Sequence, residues 1–408
     1  MSKSKFKIPN FKLNPRSKIQ DPKSVTPNPK PQTPNLSLYI HIPFCTRLCP
    51  YCHFYRVPEI PDWNEYLGAV TRELDSLEKE YTGKIIHTLY VGGGTPTELP
   101  PDFYHSLFNI IGDRFDLAEL AEATIETDGK INEQKLADYA SAGFDRVSIG
   151  VKSFDLRIRD ILGVGELPEP DPVSSAHSAG FSSVGLDLIY GIEGQNIDDF
   201  SEDLEKVVNL QPDHISLYML EGPEIEKESG EPGECDPDLT AAMFRESVRV
   251  LGAAGFRQYE ITNFARPGQE SLHNTVYWED GDFIGLGPSA HSAVTISGTV
   301  DGTRIRWRNR PDIAAYLKDA TDCREELSRE EGSDRAREAL ILGLRMTKGV
   351  FRPSFARRYG FDPLELLGPH VGELTELGLI RYSAERVRLT TRGMLLSNEV
   401  FVRILEDG

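Results

Sequence analysis

Three cysteines, Cys45, Cys49 and Cys52, stand within eight residues in HIPFCTRLCPYCHF (41–54), spaced C-x3-C-x2-C. Structural zinc usually takes four ligands supplied in close pairs. Iron–sulfur clusters are held by thiolates, typically four. Three thiolates on a 4Fe-4S cluster leave one iron open, and the amino and carboxylate groups of S-adenosylmethionine can chelate it. His53, directly adjacent to Cys52, is poorly placed to share the cluster. The bland alternative for the trio is ordinary free thiols, and the tight spacing argues against it.

A second motif, YVGGGTPTELP (90–100), follows an apolar run. Its glycines let backbone approach a ligand closely, although a tight strand-to-helix turn would look the same. The surrounding elements give it meaning. Six β-rich runs, at 37–44, 85–91, 122–127, 146–151, 184–190 and 214–220, alternate with helical patterns. Most are near-continuous apolar segments, as expected of parallel strands buried on both faces. Trp63, Tyr66, Leu67, Val70, Leu74 and Leu77 mark one apolar helical stripe. Six alternations predict an α/β fold with a parallel sheet, closed or open. In a (β/α) barrel, chemistry gathers at the C-terminal strand ends. Cys45 follows the first strand, Gly92 to Thr95 the second, Glu126 and Asp128 end the third, Lys152 follows the fourth and Asp187 lies in the fifth. One rim therefore collects the polar groups.

The chain of 408 residues carries a net charge of -19 and 27% charged residues. That suits a globular protein and opposes nucleic-acid or anionic-membrane binding. Five cysteines do not make a disulfide scaffold, and their clustering points to a metal in a reducing compartment, read here as the cytoplasm. No apolar run reaches a membrane span, so an integral membrane protein is not expected. Residues 1–35 are rich in Lys and Pro with one acid, Asp21, and read as a disordered basic tail. The predicted domains are this tail, a barrel core with its extension over 36–295, a linker over 296–330, and a helical domain over 331–408. The acidic stretch EIEKESGEPGECDPD (224–238) reads as a surface loop. The last domain reads as winged-helix-like, yet its 12 basic and 11 acidic residues are too balanced for a nucleic-acid reader. Cys235 and Cys323 lie in polar stretches expected to be exposed and receive no role.

The CxxxCxxC stretch with GGGTP resembles the radical S-adenosylmethionine (radical SAM) superfamily. The order YIHIPFCTRLCPYCHF, VGGGTPTEL, SIGVKSF, GLDLIYG, HNTVYW, GLGPSAHS and LTTRGMLLSNEVF is similar to the oxygen-independent coproporphyrinogen III oxidase family, over about residues 36–405. Within that family it resembles the HemW-type haem chaperones. Phe54 stands where the oxidases carry an extra cysteine, and His273 to Trp278 match the HNxxYW motif of the chaperone branch.

The resemblance implies a partial (β/α) barrel of radical SAM type with a C-terminal helical, winged-helix-like domain. It implies a 4Fe-4S cluster on Cys45, Cys49 and Cys52, S-adenosylmethionine as ligand or regulator, and haem, with His273 as a proposed haem contact. Tyr39 and Tyr51 match aromatic positions beside the cluster. Gly93, Gly94 and Thr95 match the loop that holds the methionine amino group; Glu126 matches an acid meeting the same ligand, and Asp187 an acid near the adenosine. Two positions depart: Lys152 replaces a glutamine and Val164 an arginine. A lysine donates but cannot accept, and a valine cannot replace a bidentate guanidinium. Lys152 and Asp128 could also simply pair across neighbouring strands. The implied function is a haem chaperone that delivers haem or a related porphyrin to an acceptor protein, soluble or membrane-bound. The rivals are a porphyrinogen oxidase working through a 5′-deoxyadenosyl radical and a cluster-bearing regulatory protein without turnover.

Overall fold

The computed structural model describes residues 36–81, 84–166, 170–220, 233, 235–296 and 302–406. The basic tail and most of the acidic stretch read as a surface loop lie outside the described residues. Twelve strands form one sheet: β1 (Leu36–Ile42), β2 (Ile86–Gly93), β3 (Glu122–Thr127), β4 (Arg146–Lys152), β5 (Ser183–Tyr190), β6 (His214–Met219), β7 (Arg257–Gln258), β8 (Asn263–Ala265), β9 (Phe283–Leu286), β10 (His291–Thr295), β11 (Arg304–Asn309) and β12 (Arg324–Glu330). Their order is β12-β11-β10-β9-β1-β2-β3-β4-β5-β6-β8-β7. The first six strands pair in sequence and in parallel, so all their C-terminal ends share one rim. Each edge is finished by antiparallel strands, and β12 does not meet β7. The sheet is a partial barrel. Every residue of β5 is buried, which is why its run VGLDLIY is apolar with a single acid.

Helices fill the crossovers: α1 (Trp63–Glu80), α2 (Pro101–Gly112), α3 (Glu133–Ala142), α4 (Leu156–Ile161), α5 (Pro172–Ser178) and α6 (Ile197–Leu210). The expected stripe of α1 is buried through Tyr66, Val70, Leu74 and Leu77, with Asp62 accepting from Asn64 N at the start. After the barrel come α7 (Pro237–Ala253), α8 (Leu272–Trp278) and α9 (Ile313–Lys318). Residues 296–330 are therefore more than a linker, because β11, α9 and β12 extend the sheet. Cys323 corrects a second expectation: it is fully buried, and its thiol donates to Asp319 O at 3.3 Å.

The C-terminal part holds α10 (Gly332–Arg345), α11 (Arg352–Tyr359), α12 (Pro363–Leu367), α13 (His370–Glu376), α14 (Thr391–Leu395) and α15 (Ser397–Glu406). A small sheet of β13 (Val350–Phe351), β15 (Arg386–Leu389) and β14 (Ile380–Tyr382) completes the winged-helix-like arrangement. Asp280, just past α8, is 2% exposed and ties this part to the barrel. Arg304 Nε lies 2.9 Å from its Oδ1, an ion pair too poorly angled to count as a hydrogen bond. Tyr359 OH donates to its Oδ2 at 2.8 Å, and Arg335 and Arg358 stand 3.5 Å from the same oxygen.

A second buried acid, Glu73 of α1, holds the extension. Its carboxylate accepts from Gly287 N at 3.0 Å, Asn309 Nδ2 at 2.6 Å and Tyr316 OH at 2.5 Å. Burial outweighs these three donors and raises its pKa from 4.5 to about 7. The folded chain then keeps the proton more tightly than the unfolded chain. Stability from this group is present below about pH 4.5 and falls as pH rises to about 7. Thermal melts across that window are expected to show the decline in wild type and a shallower slope in Glu73→Gln. Parallel slopes would contradict this reading.

Candidate metal and cofactor site

The three cysteines occupy the loop leaving β1. Two backbone bonds stitch this loop to the glycine loop leaving β2: Gly94 N donates to Ile42 O and Thr95 N to Phe44 O, both at 2.8 Å. The packing leaves no room for side chains at these glycines. A Cβ on Gly94 would fall 2.5 Å from Phe44 O, and one on Gly93, at φ +111°, would fall 2.5 Å from the His41 ring. The glycines therefore serve first to seat one loop on the other. Their amides are already used, so an approaching ligand meets carbonyls and side chains here.

The thiols share one neighbourhood without closing on a point. Cys45 Sγ donates to Arg47 O at 2.9 Å and lies 3.2 Å from Thr95 Oγ1. Cys49 hydrogen-bonds the Tyr51 side chain, and both pack against an apolar cluster containing Val164, Ile189 and Leu220. Burial first, then the charges of Cys45 and Cys52, pushes the Cys49 thiol up. Among the described residues no three His, Cys, Asp or Glu side chains are gathered tightly enough to hold a metal ion. The donor set still fits a cluster, because three cysteine sulfurs sit on one loop at one rim and a bound metal deprotonates the thiols it takes as ligands. Arg56, which sequence reasoning passed over, braces the loop by donating to Cys49 O at 2.6 Å and to Cys52 O. Its only sequence signal is an arginine four residues beyond the last cysteine.

Glu126 lies beside the glycine loop. Tyr90 OH donates to its Oε1 at 2.6 Å, and Gly93 N to its Oε2 at 3.3 Å. Burial, opposed by the Tyr90 bond, lifts its pKa to about 6. A cationic amine beside it would restore the carboxylate, so it fits an aminium ligand. Asp187 is buried on β5 and accepts from Ser148 Oγ at 3.0 Å. Tyr39 stacks on Tyr90 with ring centroids 6.1 Å apart. Its hydroxyl bonds His41 Nδ1 at 3.1 Å, while His41 Nε2 lies 2.8 Å from Tyr55 O. A carbonyl only accepts, so Nε2 carries the proton and Tyr39 donates to Nδ1.

Lys152 ends β4 at a bulge and takes φ +71°, a left-handed conformation costly for a side chain with a Cβ. Its charge acts on Glu126 and lowers that carboxyl. Among the described residues no acid or acceptor pairs with its Nζ; Asp128 accepts from Lys130 N instead, at 3.1 Å. The cross-strand pair with Asp128 is not formed. Val164 turns into the apolar cluster, but two guanidiniums meet the adjacent backbone. Arg47 donates to Val164 O, and buried Arg159 donates to Gly165 O at 2.9 Å. The positive charge missing at 164 is thus present nearby.

His273 is the residue that the resemblance offers as a haem contact. It is fully buried in α8, stacked on Tyr90 at 5.2 Å. Its Nδ1 lies 2.7 Å from Thr88 Oγ1 and its Nε2 2.7 Å from Tyr277 OH. Thr88 gives its own proton to Ser37, so it accepts from Nδ1–H and Nε2 accepts from Tyr277. Burial lowers the imidazole pKa to about 3. No nitrogen is free for an iron in this arrangement. Glu122 fixes the start of α8 by accepting from Leu272 N at 2.9 Å and His273 N at 3.0 Å. Arg345 covers the Trp278 ring at 4.3 Å. The HNTVYW segment is a packed joint between the barrel and the C-terminal part.

An open barrel with a three-cysteine loop after its first strand and a glycine loop after its second is of the radical SAM class. Residues 39–207 match the model of the radical SAM superfamily, and residues 331–396 that of the HemN C-terminal domain. A protein of Lactococcus lactis named heme chaperone HemW is 31% identical over 91% of this chain and 97% of its own length. Its Escherichia coli namesake is 31% identical over 92% of this chain and 99% of its own. The solved structure of coproporphyrinogen III oxidase from Escherichia coli, described as a radical SAM enzyme, shares the fold at a TM-score of 0.74 and 23% identity, covering 91% of this chain and 90% of that one. The chain belongs to the HemW heme chaperone family. Membership in the radical SAM superfamily implies a 4Fe-4S cluster and S-adenosylmethionine.

The strain at Lys152 gives a direct test. Lys152→Gly is expected to raise stability by about 1 kcal/mol in chemical denaturation, since glycine adopts this φ freely. A loss of similar size would show that the ammonium itself supports the fold.

Proposed function

We propose that this protein is a haem chaperone: it carries a 4Fe-4S cluster on Cys45, Cys49 and Cys52, binds haem, and passes it to an acceptor protein in a reducing compartment, the cytoplasm. The observation that carries this reading is near-full-length similarity to relatives named heme chaperone HemW. When bound, the cluster offers an open iron to the amino and carboxylate groups of S-adenosylmethionine. Around that ligand, Glu126 and Thr95 take the amino end. Lys152, Arg47 and Arg159 provide positive charge for the carboxylate, and Asp187 accepts from the nucleoside. Tyr39 and Tyr51 wall the site and exclude water. The ligand acts here as a regulator more than as a substrate.

Support against oxidase chemistry comes from Phe54, which is 62% exposed where the oxidases carry a further cysteine, and from Val164. No described helix is long and apolar enough to cross a membrane.

The test reconstitutes the cluster without air, adds reductant, S-adenosylmethionine and coproporphyrinogen, and measures 5′-deoxyadenosine and decarboxylated porphyrin. A parallel titration follows the haem spectrum and its transfer to an apo-haem protein. Haem binding and transfer without stoichiometric decarboxylation is the expected result. Stoichiometric decarboxylation, or no haem binding, would overturn the chaperone reading.

A further inference from the structure

Two arginines of the cysteine loop keep their charge with no acid to cancel it. Arg47 stands between Cys45 and Cys49, and Arg56 follows Cys52 by four residues. Both are half-buried, and among the described residues neither forms an ion pair. Each guanidinium is spent on backbone carbonyls. Arg47 donates to Val164 O, and a Cβ on Gly165 would strike its guanidinium, so residue 165 must be small for it to sit there. Val164 packs in the same apolar cluster as Cys49 and Tyr51, which brings Arg47 beside the second cysteine, and its charge acts on Cys49. Arg56 donates to Cys52 O, to Cys49 O at 2.6 Å and to Phe54 O at 3.2 Å. Two fixed cations therefore lie against the segment that carries Cys49 and Cys52.

The neighbouring cations differ. Asp203 and Asp128 act on Arg159, and Lys152 acts on Glu126, so acids partly answer those charges. Glu98, which reaches the cysteine loop, accepts from Thr46 Oγ1 at 2.6 Å and pairs with neither arginine. A carbonyl bond fixes a guanidinium without neutralising it. Charge fixed in this way acts on the redox balance of an iron–sulfur centre. Reduction adds one negative charge to the centre, so a cation held nearby stabilises the reduced form more than the oxidised form and raises the potential. Half-burial limits how far salt can screen the effect.

We propose that Arg47 and Arg56 tune the cluster on Cys45, Cys49 and Cys52 by drawing its reduction potential upward. The assignment rests on the cluster of the proposed function and names what governs it. Breaking the carbon–sulfur bond of a sulfonium takes an electron from a strongly reducing donor. By holding that electron on the cluster, the two guanidiniums leave the sulfonium intact, in keeping with S-adenosylmethionine as a regulator.

The test reconstitutes the cluster anaerobically on the full chain and titrates it with dithionite in the presence of redox mediators. Visible absorbance and the electron paramagnetic resonance signal of the reduced form give the midpoint potential. S-adenosylmethionine is left out, so that the part of Arg47 in holding its carboxylate does not enter. Arg47→Gln and Arg56→Gln are each expected to shift the midpoint to more negative potential, and the double variant to shift it further. Arg47→Lys and Arg56→Lys keep the charge but lose the planar fork, and are expected to lie closer to wild type than the glutamine variants. A purely structural role would lower the iron content and leave the midpoint unmoved in molecules that keep their cluster. The Arg47 variants decide the matter where loss of the Arg56 brace prevents assembly. Coinciding midpoints for wild type and the glutamine variants would overturn the tuning alone, as would lysine variants shifted as far as the glutamine ones. A wild-type chain that assembles no redox-active cluster would instead overturn the reading on which the assignment rests.

Discussion

Two backbone hydrogen bonds, from Gly94 N to Ile42 O and from Thr95 N to Phe44 O, set the geometry on which the candidate site depends. They continue the parallel pairing of β1 with β2 beyond the end of the strands and join the cysteine loop to the glycine loop. No side chain fits at residue 94 while this contact exists, because Phe44 O already occupies the space. Once the loops are joined, Thr95 Oγ1 must lie against Cys45, and Glu126, bonded to Gly93 N, must face the same corner. The thiols, the hydroxyl and the acid are thus assembled by main-chain pairing before any ligand arrives.

A second constraint runs beneath the rim. Glu126 accepts from Tyr90, Tyr90 stacks on His273, and His273 bonds Tyr277. From α8 the contacts pass through Trp278 and Asp280 to Arg345, Arg335 and Arg358 of the C-terminal part. The cofactor corner and the C-terminal helices are therefore ends of one packed chain of polar groups. Asp280 alone faces three guanidiniums, with Arg304 and Asp282 forming a further pair. Buried pairs of this kind add little net stability but make loss of one partner costly. Their effect here is to fix how the C-terminal part sits on the barrel.

Much of this was legible in the sequence where the physics is local. Parallel strands buried on both faces must be apolar, so β1 to β6 announced themselves, and α1 followed from its stripe. The order of polar residues at strand ends located the rim. The extension was not legible, for an equally physical reason. In β11 and β12, RIRWRN and REELSRE, charge pairs across strands replace apolar burial, and such runs read as linker. His273 entered as a haem contact through the resemblance alone, since a histidine beside asparagine and two aromatics fits a capped turn with core aromatics equally well. Only the three-dimensional contacts with Thr88 and Tyr277, the first far away in sequence, show both nitrogens consumed. Glu73 and Asp280 look like surface acids in one dimension, and their donors come from residues more than twenty positions away.

The proposed function depends on a cluster held by three protein sulfurs with one iron open to solvent and ligand. Mössbauer spectroscopy of the anaerobically reconstituted, iron-57-enriched chain measures this directly. The expected spectrum shows a 4Fe-4S centre in which one iron site changes its isomer shift when S-adenosylmethionine is added. A preparation without cluster iron, or a cluster with four equivalent sites indifferent to that ligand, would contradict it.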